Sequence, residues 1–391
     1  MIINFLSLRG MILVIAVTAI ISSCSTPEIK ADSGIRSFIE ESGTIGLAVA
    51  VVRDNKVIYS RAFGKSNLEN NKPLKENDIF RIASISKSFT TTALLSLLDN
   101  KRISLDQDAG DIVGFKIRNP QYPDVPVTVK MLLSHTSSLN DSQGYFSLDI
   151  LNPATNPDYA KCYNGYMPGT GYQYSNLGFN TLGAITEKLS GIRFDKFVKQ
   201  VVLEPLSLHA SFNINDFPGN TFASLYAFDT TGFKLSESAY LSKAEEIESE
   251  GYIIGYSAPL FSATGGMKIS APDLAHYMIM HMNFGYDPQT GARILSEESS
   301  RLMQTPVIET VNREYYCMGL SRTSTLIPGE VMTGHTGSAY GLFSAMYFEP
   351  EKKFGFVVIT NGTTSEYGTY VDGFAPVQRD VVRLLYNAFI K

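Results

Sequence analysis

FRIASISKSFT, residues 80–90, contains the two residues from which the fold and the chemistry of this chain can first be inferred. Ser84 is followed three positions later by Lys87, in the only Ser-x-x-Lys of the sequence. Apolar residues recur here at helical spacing, which predicts a buried helix over residues 84–99. Both polar side chains would then share one helix face, because residues three apart are neighbours there. Taken alone, the pair could equally be the polar start of an ordinary helix.

The composition is that of a globular protein, large enough for two domains or for one domain with an insertion. The chain has 391 residues, of which 44% are hydrophobic and 18% are charged. Its formal net charge is −5, and no basic stripe offsets this acidic balance. Nucleic acid is therefore not an expected partner.

The N-terminus has the layout of a bacterial export signal. Arg9 precedes an apolar run over residues 11–21, which is shorter than the roughly 20 residues needed to span a bilayer. The run ends in ISSC, residues 21–24, which resembles a lipoprotein processing site. We expect a signal peptide over residues 1–23 and a lipid anchor on Cys24 that holds the protein at the bacterial cell envelope. The alternatives are an uncleaved anchor or an ordinary signal peptide with a chance cysteine.

Strand patterns occupy both ends of the chain and surround a middle that is rich in turns and short helices. Residues 46–53 and 57–63 predict one β-hairpin, and residues 341–349 and 354–361 predict a second. Residues 375–390 predict a closing helix. This order predicts an α+β fold, in which an antiparallel sheet is built from both chain termini and is flanked by helices.

The middle of the chain is interpreted as an insertion into this sheet domain. Residues 34–115 and 260–391 would form the sheet domain, and residues 116–259 would form a mainly helical insertion domain. Residues 24–33 are small and polar, and they predict a tether between the lipid anchor and the folded part.

Several catalytic and metal-binding motifs are missing from the sequence. It has no Gly-x-Ser-x-Gly elbow, no Gly-x4-Gly-Lys phosphate loop and no His-Glu-x-x-His. Neither Cys162 nor Cys317 lies near a histidine at a metal-ligand spacing, and we expect neither metal nor cofactor. A disulfide between these cysteines and two buried free thiols both fit an exported chain.

A second segment carries side chains that could act together with Ser84 and Lys87. A serine hydroxyl needs a neighbour that removes its proton, and a lysine can do so only as a neutral amine. Burial or a nearby positive charge would lower the lysine pKa enough. In YSN, residues 174–176, Tyr174 offers a phenol for a proton shuttle with Lys87, and Asn176 offers an amide that donates and accepts.

A third segment, HTGS at residues 335–338, lies where a strand should begin. It contributes an imidazole and a hydroxyl to the same set of polar groups. Gly337 has no side chain, so a substrate backbone could approach it closely.

The three segments, in this chain order, resemble the motifs of the serine β-lactamase and penicillin-binding-protein superfamily: Ser-x-x-Lys, Tyr-x-Asn and Lys/His-Thr-Gly. The closest branch is the class C β-lactamase family, which includes D-alanyl-D-alanine carboxypeptidases, D-amino-acid peptidases and esterases. The neighbouring segments LLSHTSSL (132–139), PGTGYQYSNLGFNTLG (168–183) and SATGGMKIS (262–270) also look like this family. The resemblance covers nearly all of the chain from about residue 35, and the fold it implies agrees with the one predicted above.

The resemblance implies a role for each motif residue. Ser84 would be the nucleophile that forms an acyl-enzyme, and Lys87 and Tyr174 would share the general-base and general-acid work. The backbone N–H groups of Ser84 and Ser338 would form the oxyanion hole. Asn176 would hold the amide or acyl side chain of the substrate.

Two positions depart from the pattern of class C β-lactamases. His335 stands where those enzymes carry lysine, and His-Thr-Gly is more typical of the peptidases and esterases. His335 and Thr336 would face the leaving side of the substrate or its carboxylate, which a mostly neutral histidine binds less surely than lysine. Ser138 stands where the family often has glycine, and His135 is expected to satisfy backbone groups of its loop.

The sequence therefore predicts a serine hydrolase that acts on D-amino-acid peptides of cell-wall type or on small esters and amides. The alternative enzyme is a class C-like β-lactamase. An alternative of another class is a non-hydrolytic penicillin-binding or scaffold protein. The expected partners are a small-molecule or peptide substrate and, through the lipid anchor, a membrane.

Overall fold

The computed structural model of the chain describes residues 26–217, 222–312 and 314–391. The predicted signal peptide and Cys24 lie outside these residues. Within the described ranges, no helix is both long enough and apolar enough to cross a membrane.

The described residues form α-helices, strands and short 3₁₀ helices. The α-helices are α1 (Pro27–Ser42), α2 (Ser86–Asp99), α3 (Ala109–Val113), α4 (Val129–Leu133), α5 (Asn176–Ser190), α6 (Phe194–Val198), α7 (Ala244–Glu248), α8 (Ala271–Met282), α9 (Glu297–Leu302), α10 (Ser365–Gly368) and α11 (Pro376–Phe389). The strands are β1 (Gly46–Arg53), β2 (Lys56–Asn67), β3 (Lys72–Pro73), β4 (Phe80–Arg81), β5 (Tyr226–Asp229), β6 (Gly232–Leu235), β7 (Lys268–Ile269), β8 (Ile308–Glu309), β9 (Tyr315–Tyr316), β10 (Ser321–Thr323), β11 (Met332–Ala339), β12 (Leu342–Glu349) and β13 (Phe354–Thr360). The 3₁₀ helices are Ala83–Ile85, Leu148–Leu151, Tyr159–Cys162, Ile214–Asp216, Glu237–Tyr240 and Ala258–Phe261, and Lys199–Leu203 is a π-helical turn.

A nine-stranded antiparallel sheet joins the two ends of the chain, in the order β3-β2-β1-β13-β12-β11-β10-β9-β8. Its centre is the pairing of β1 with β13, in which Val49 lies opposite Val358. The hairpins β1–β2 and β12–β13 are the two that the sequence predicts. The α+β fold with one sheet built from both termini is thereby confirmed.

Helices cover both faces of this sheet. Along β1, Leu47 and Val49 pack in the apolar cluster of α1 and α11, whereas Ala48 and Ala50 join the larger core that contains α2, α5 and α8. Because both faces are buried, β1 is apolar at nearly every position rather than at alternate ones. The large core also contains the helices of the predicted insertion, so α5 and α6 share one interior with α2.

The helix predicted over residues 84–99 is present as a 3₁₀ turn, Ala83–Ile85, that continues into α2. From Ser86 to Leu97 every residue of α2 is buried. Its hydroxyl groups are satisfied inside the protein; for example, Thr90 Oγ1 donates to the Ala263 carbonyl at 2.7 Å. The start of α2 is therefore held rigidly in the middle of the molecule.

The predicted tether over residues 24–33 is wrong from Pro27 onward, because α1 begins there. Thr26 caps this helix by accepting from the Ile29 N–H at 3.4 Å, and Pro27 occupies a favoured first-turn position. Ala31 and Ile35, four residues apart, are both fully buried in the cluster with α11. The residues predicted to form the insertion also contain a β-hairpin, β5–β6, beside short helices.

Gln378 connects helix α11 to strands β11 and β12 through hydrogen bonds. Its Nε2 donates to the carbonyl oxygens of Gly337 at 3.2 Å and Ser344 at 2.7 Å, and its Oε1 accepts from the Ala375 N–H at 3.0 Å. The side chain is fully buried.

We expect Gln378→Ala to lower the free energy of unfolding by about 1–3 kcal/mol, because it leaves buried polar groups without a partner. Chemical denaturation would measure the change. Asn387→Ala, at an exposed position of the same helix, is the matched control and should change stability by less than about 0.5 kcal/mol. Equal stability of the two variants would contradict this role of Gln378.

Candidate active site

Ser84 and Lys87 lie side by side at the start of α2. Ser84 is half-buried in the 3₁₀ turn, and Lys87 is fully buried one turn further on. Lys87 Nζ is 3.1 Å from Ser84 Oγ. Ala83, which precedes the serine, has a φ of 47°, a left-handed conformation that costs a non-glycine residue roughly 1–2 kcal/mol. The backbone is thus held in a strained turn directly before Ser84.

The amine of Lys87 has three polar neighbours. Besides Ser84 Oγ, these are Asn176 Oδ1 at 2.9 Å and the carbonyl oxygen of Thr264 at 3.0 Å. Burial holds the pKa of Lys87 well below its ordinary value, against a smaller opposing effect of the Asp141 carboxylate. A neutral amine has two N–H groups and one lone pair. Because both carbonyl oxygens can only accept, they take the two N–H groups and leave the lone pair facing Ser84.

Tyr174 lies over this amine, in the loop that leads into α5. Its ring centroid is 4.5 Å from Lys87 Nζ. Burial raises the pKa of Tyr174 well above its ordinary value, and a hydrogen bond with the Ser84 hydroxyl opposes that shift. The phenol therefore keeps its proton near neutral pH, so Tyr174 can donate a proton but does not begin as a phenolate.

Asp141 positions the Tyr-Ser-Asn segment, and sequence reasoning missed it. Its Oδ2 accepts from the backbone N–H and from Nδ2 of Asn176, both at 2.9 Å. Its Oδ1 accepts from Ser175 Oγ and the Leu177 N–H, both at 3.0 Å. A carboxylate at a helix N-terminus is favoured by the orphan N–H groups and the helix dipole. The acidic residue lies 35 positions before the helix that it caps, so no local pattern reveals it.

Thr264 is a second residue that sequence reasoning did not single out. Its hydroxyl donates to Asn176 Oδ1 at 2.6 Å, while its carbonyl oxygen accepts from Lys87. Gly266, in the same loop, is required by packing, because a Cβ there would be 2.0 Å from the Phe261 carbonyl oxygen. Only glycine therefore lets the loop pack this closely beside the site.

His135 has the structural role expected for it. Its Nδ1 accepts from the Ser175 N–H at 3.1 Å, and its ring packs against Tyr174 with centroids 4.3 Å apart. Burial holds the pKa of His135 well below its ordinary value, so the ring is neutral. Ser138 in the same loop has a φ of 64°, which is why glycine would fit this position.

His335 lies in β11 beside the other two motifs, and it is buried. Its Nδ1 donates to the Thr336 carbonyl, so its Nε2 accepts from the Tyr316 hydroxyl at 3.3 Å. Burial, helped by the nearby Lys87, lowers the pKa of His335 to about 3. The ring therefore adds no positive charge to the site. Tyr316 is a third residue that sequence reasoning missed, because no motif surrounds it.

Gly337 is required for a reason that differs from the predicted one. A Cβ at this position would be 2.3 Å from the carbonyl oxygen of Ile82 and 3.2 Å from the Ala83 side chain. The glycine therefore lets β11 pack against the segment that carries Ser84. The approach of a substrate backbone, and the oxyanion hole formed by the N–H groups of Ser84 and Ser338, stay predictions.

The described residues provide no evident metal site. No group of three or more His, Cys, Asp or Glu side chains among them is placed to hold an ion. Cys162 and Cys317 are both free and buried, so they do not form the disulfide that the sequence left open.

Comparisons with known proteins agree with the three motifs. The family model described as Beta-lactamase matches residues 31–375. Protein flp of Staphylococcus aureus (strain MRSA252) is 25% identical over 342 residues, which cover 86% of this chain and 63% of that protein. Penicillin-binding protein 4* of Bacillus subtilis (strain 168) is 29% identical over 231 residues, 54% of this chain and 50% of that protein. The matches thus span less than two thirds of both curated relatives.

Solved structures share the fold. The octameric penicillin-binding protein homologue from Pyrococcus abyssi has a TM-score of 0.72 and 27% identity, covering 92% of this chain and 76% of its own. EstCE1, described as a hydrolase with promiscuous acyltransferase activity, has a TM-score of 0.69 and 19% identity, covering 91% of this chain and 98% of its own. At that identity, the second likeness concerns the fold alone.

We expect Asp141→Ala to slow covalent labelling of Ser84 by a fluorophosphonate about tenfold or more, because Asn176 and the amine it orients lose their support. Gel fluorescence against time would give the rate. Asp124→Ala, at an exposed aspartate that makes no contact with the site, should label at the wild-type rate. Wild-type labelling of Asp141→Ala would contradict the positioning role.

Proposed function

We propose, because this chain belongs to the Beta-lactamase family, that it is a serine hydrolase which acts through an acyl-Ser84 intermediate on D-amino-acid peptides of cell-wall type or on small esters and amides. The observation that supports this most is the amine of Lys87. It is buried, it lies 3.1 Å from Ser84 Oγ, and two carbonyl oxygens accept from it, so in its neutral form the lone pair is left for the Ser84 hydroxyl.

The proposed reaction has two halves. Ser84 Oγ attacks the substrate carbonyl carbon while Lys87 takes the hydroxyl proton, and the carbonyl oxygen becomes an oxyanion that the N–H groups of Ser84 and Ser338 would stabilise. The bond to the leaving group then breaks. The leaving group takes a proton from Tyr174, which recovers one from Lys87. Water attacks the acyl-Ser84 ester in the second half, with the same two residues in reversed roles.

The neutral ring of His335 affects which substrates the site would favour. A carboxylate on the leaving side would meet a buried imidazole with a pKa of about 3 rather than a fixed cation. Among the proposed substrates, this favours small esters and amides with neutral leaving groups over peptides that end in a free D-amino acid, and over a β-lactam, because both of these carry a carboxylate on the leaving side. Placement in the class C branch is part of this proposal.

Residues 11–24 further support the proposal that the protein is exported and held at the bacterial cell envelope by lipid on Cys24.

We expect Cys24→Ser to abolish incorporation of radiolabelled palmitate and to move the protein from the membrane fraction to the soluble fraction. Ser22→Ala, which keeps a small residue in the motif, should retain the label. A wild-type protein without label would contradict the anchor.

We expect the wild-type protein to be labelled by a fluorophosphonate and Ser84→Ala to remain unlabelled. Ser104→Ala, at an exposed serine, is the matched control and should label normally. Turnover would be measured with p-nitrophenyl esters, D-Ala-D-Ala peptides and nitrocefin. Labelling that does not depend on Ser84 would overturn the proposal. Nitrocefin turnover faster than that of every ester and peptide would indicate a β-lactamase, and labelling without turnover would indicate a binding protein.

The pH dependence of labelling tests the base. Lys87 acts as the neutral amine, and since its pKa is lowered, this form is already present far below pH 10.5 and is lost only as pH falls through the lowered pKa. Tyr174 keeps its proton into the alkaline range because its pKa is raised. We therefore expect a broad plateau, with no change from His335 between roughly pH 5 and 8.

A labelling rate that rises steadily towards pH 10.5 would show an ordinary lysine and would contradict this assignment. Lys87→Arg gives the matched comparison, because a guanidinium cannot lose its proton. That variant should label at least about a hundredfold more slowly at every pH, the lower end of what general-base catalysis contributes.

A further inference from the structure

A cavity of about 200 Å³ lies behind the loop of residues 262–266. Thr264 in this loop faces Lys87, whereas Ser262 and Gly266 line the cavity. Much of its remaining wall is apolar, formed by Phe146, Phe212, Leu241, Ile247, Leu260 and Phe261. The proposed mechanism uses none of these side chains.

Three cationic side chains also line this cavity: those of Arg81, Lys243 and Lys268. Arg81 on β4 and Lys268 on β7 are directly opposite each other in the strand pair. Like charges at opposed positions destabilise a pair of strands. Lys268 is only 7% exposed, and burial together with the charge of Arg81 holds its pKa well below the ordinary value. The fold therefore places the Arg81 guanidinium directly opposite a buried amine whose lowered pKa favours its neutral form.

In the described ranges, the hydrogen bonds of Arg81 and Lys268 go to neutral groups, and the carboxylates of Asp216 and Asp195 act on Lys268 only from beyond ion-pair distance. The Arg81 guanidinium donates to the carbonyl oxygens of Gly265 at 2.8 Å and Ala239 at 3.2 Å, and Lys268 Nζ donates to the Phe212 carbonyl at 2.6 Å. In the described part of the chain, no carboxylate forms an ion pair with any of the three. A buried charge is costly unless it is paired. An anion in the cavity would supply an ion-pair partner for Arg81 and Lys243.

The cavity adjoins the reacting serine. Arg81 precedes Ser84 by three residues, so their Cα atoms are at most about 11 Å apart. The loop behind which the cavity lies is also bonded to Asn176, because Thr264 Oγ1 donates to Asn176 Oδ1 at 2.6 Å. The cavity and the Asn176 amide, which would hold the acyl part of a substrate, thus both adjoin this one loop.

We propose that this cavity binds a carboxylate at the far end of the substrate's acyl group, with Arg81 and Lys243 as its positive partners and the Lys268 amine as a further hydrogen-bond donor. A guanidinium matches the planar geometry of a carboxylate. The apolar wall suits a short aliphatic chain, and a volume of about 200 Å³ is below the roughly 300 Å³ of pockets for drug-sized ligands. The assignment of the anion to a substrate rests on the proposed function, whereas anion binding itself does not.

Binding is tested without catalysis by calorimetric titration of the wild-type protein with glutarate and with glutaramide, its neutral analogue. We expect glutarate to bind at least about tenfold more tightly, because it alone makes charged hydrogen bonds. Lys243→Ala, at the rim, should weaken glutarate binding about two- to fivefold. Lys196→Ala removes an exposed lysine that does not line the cavity and should leave binding unchanged.

Arg81→Gln should weaken glutarate binding about tenfold or more. Because Arg81→Gln could also disturb the fold, the glutarate affinity of Lys243→Ala decides whether the cavity is a carboxylate site. Equal binding of glutarate and glutaramide, binding of neither, or equal glutarate affinity of Lys243→Ala and Lys196→Ala would each overturn the carboxylate site.

Kinetics then connect the cavity to the substrate. The p-nitrophenyl monoester of glutaric acid and the corresponding ester of glutaramic acid differ only in a terminal carboxylate or amide. We expect Lys243→Ala to raise the KM of the carboxylate ester two- to fivefold, with kcat and the amide ester unchanged. Hydrolysis of neither ester would count against the proposed function, while the titration would still decide the cavity. Equal KM effects on both esters would overturn the link between the cavity and the acyl group.

Discussion

The burial of the Lys87 amine without a carboxylate partner is the constraint on which the rest of the site depends. In the described ranges, no acidic side chain forms an ion pair with it, and a buried ammonium left unpaired would cost many kcal/mol. Neutrality removes that cost and, in the proposed mechanism, gives Lys87 the lone pair that a base needs. The carbonyl oxygens of Asn176 and Thr264 then orient the amine, because they leave Ser84 as the group that can donate to it. The burial of this one amine therefore determines both its cost to folding and its proposed reactivity.

The architecture brings three distant segments to this amine. The start of α2 supplies the serine, the start of α5 supplies the amide that Asp141 holds, and β11 closes the third side. Only glycine allows β11 to pack this closely, because a Cβ at position 337 would overlap the Ile82 carbonyl oxygen. The positions of these segments are fixed by packing in a shared core rather than by local hydrogen bonds alone.

Whether a feature could be predicted from the sequence depends on how far apart along the chain its interacting residues are. The hairpins around residues 54–55 and 350–353, and the helix after Ser84, depend on local turns and periodicity, and they are where the sequence places them. The contacts of Asp141 and Thr264 join residues 35 and 88 positions apart, so no periodicity carries them. Helix α1 resembles a tether in the sequence because its apolar residues are few and its partner, α11, lies at the other end of the chain.

The central pairing of β1 with β13 has a consequence for how this protein comes into being. Strand β1 ends at Arg53, and its partner β13 begins at Phe354, so some 300 residues of chain separate two neighbouring strands of the sheet. Contacts of such sequence separation form late in folding, because a long loop must be closed first. In a ribosome-bound chain that does not yet include β13 and α11, strands β1 and β12 have unpaired edges. Strand β11 then also lacks the hydrogen bond from Gln378. The arrangement around Ser84 therefore arises only after residues 354–389 have been synthesised.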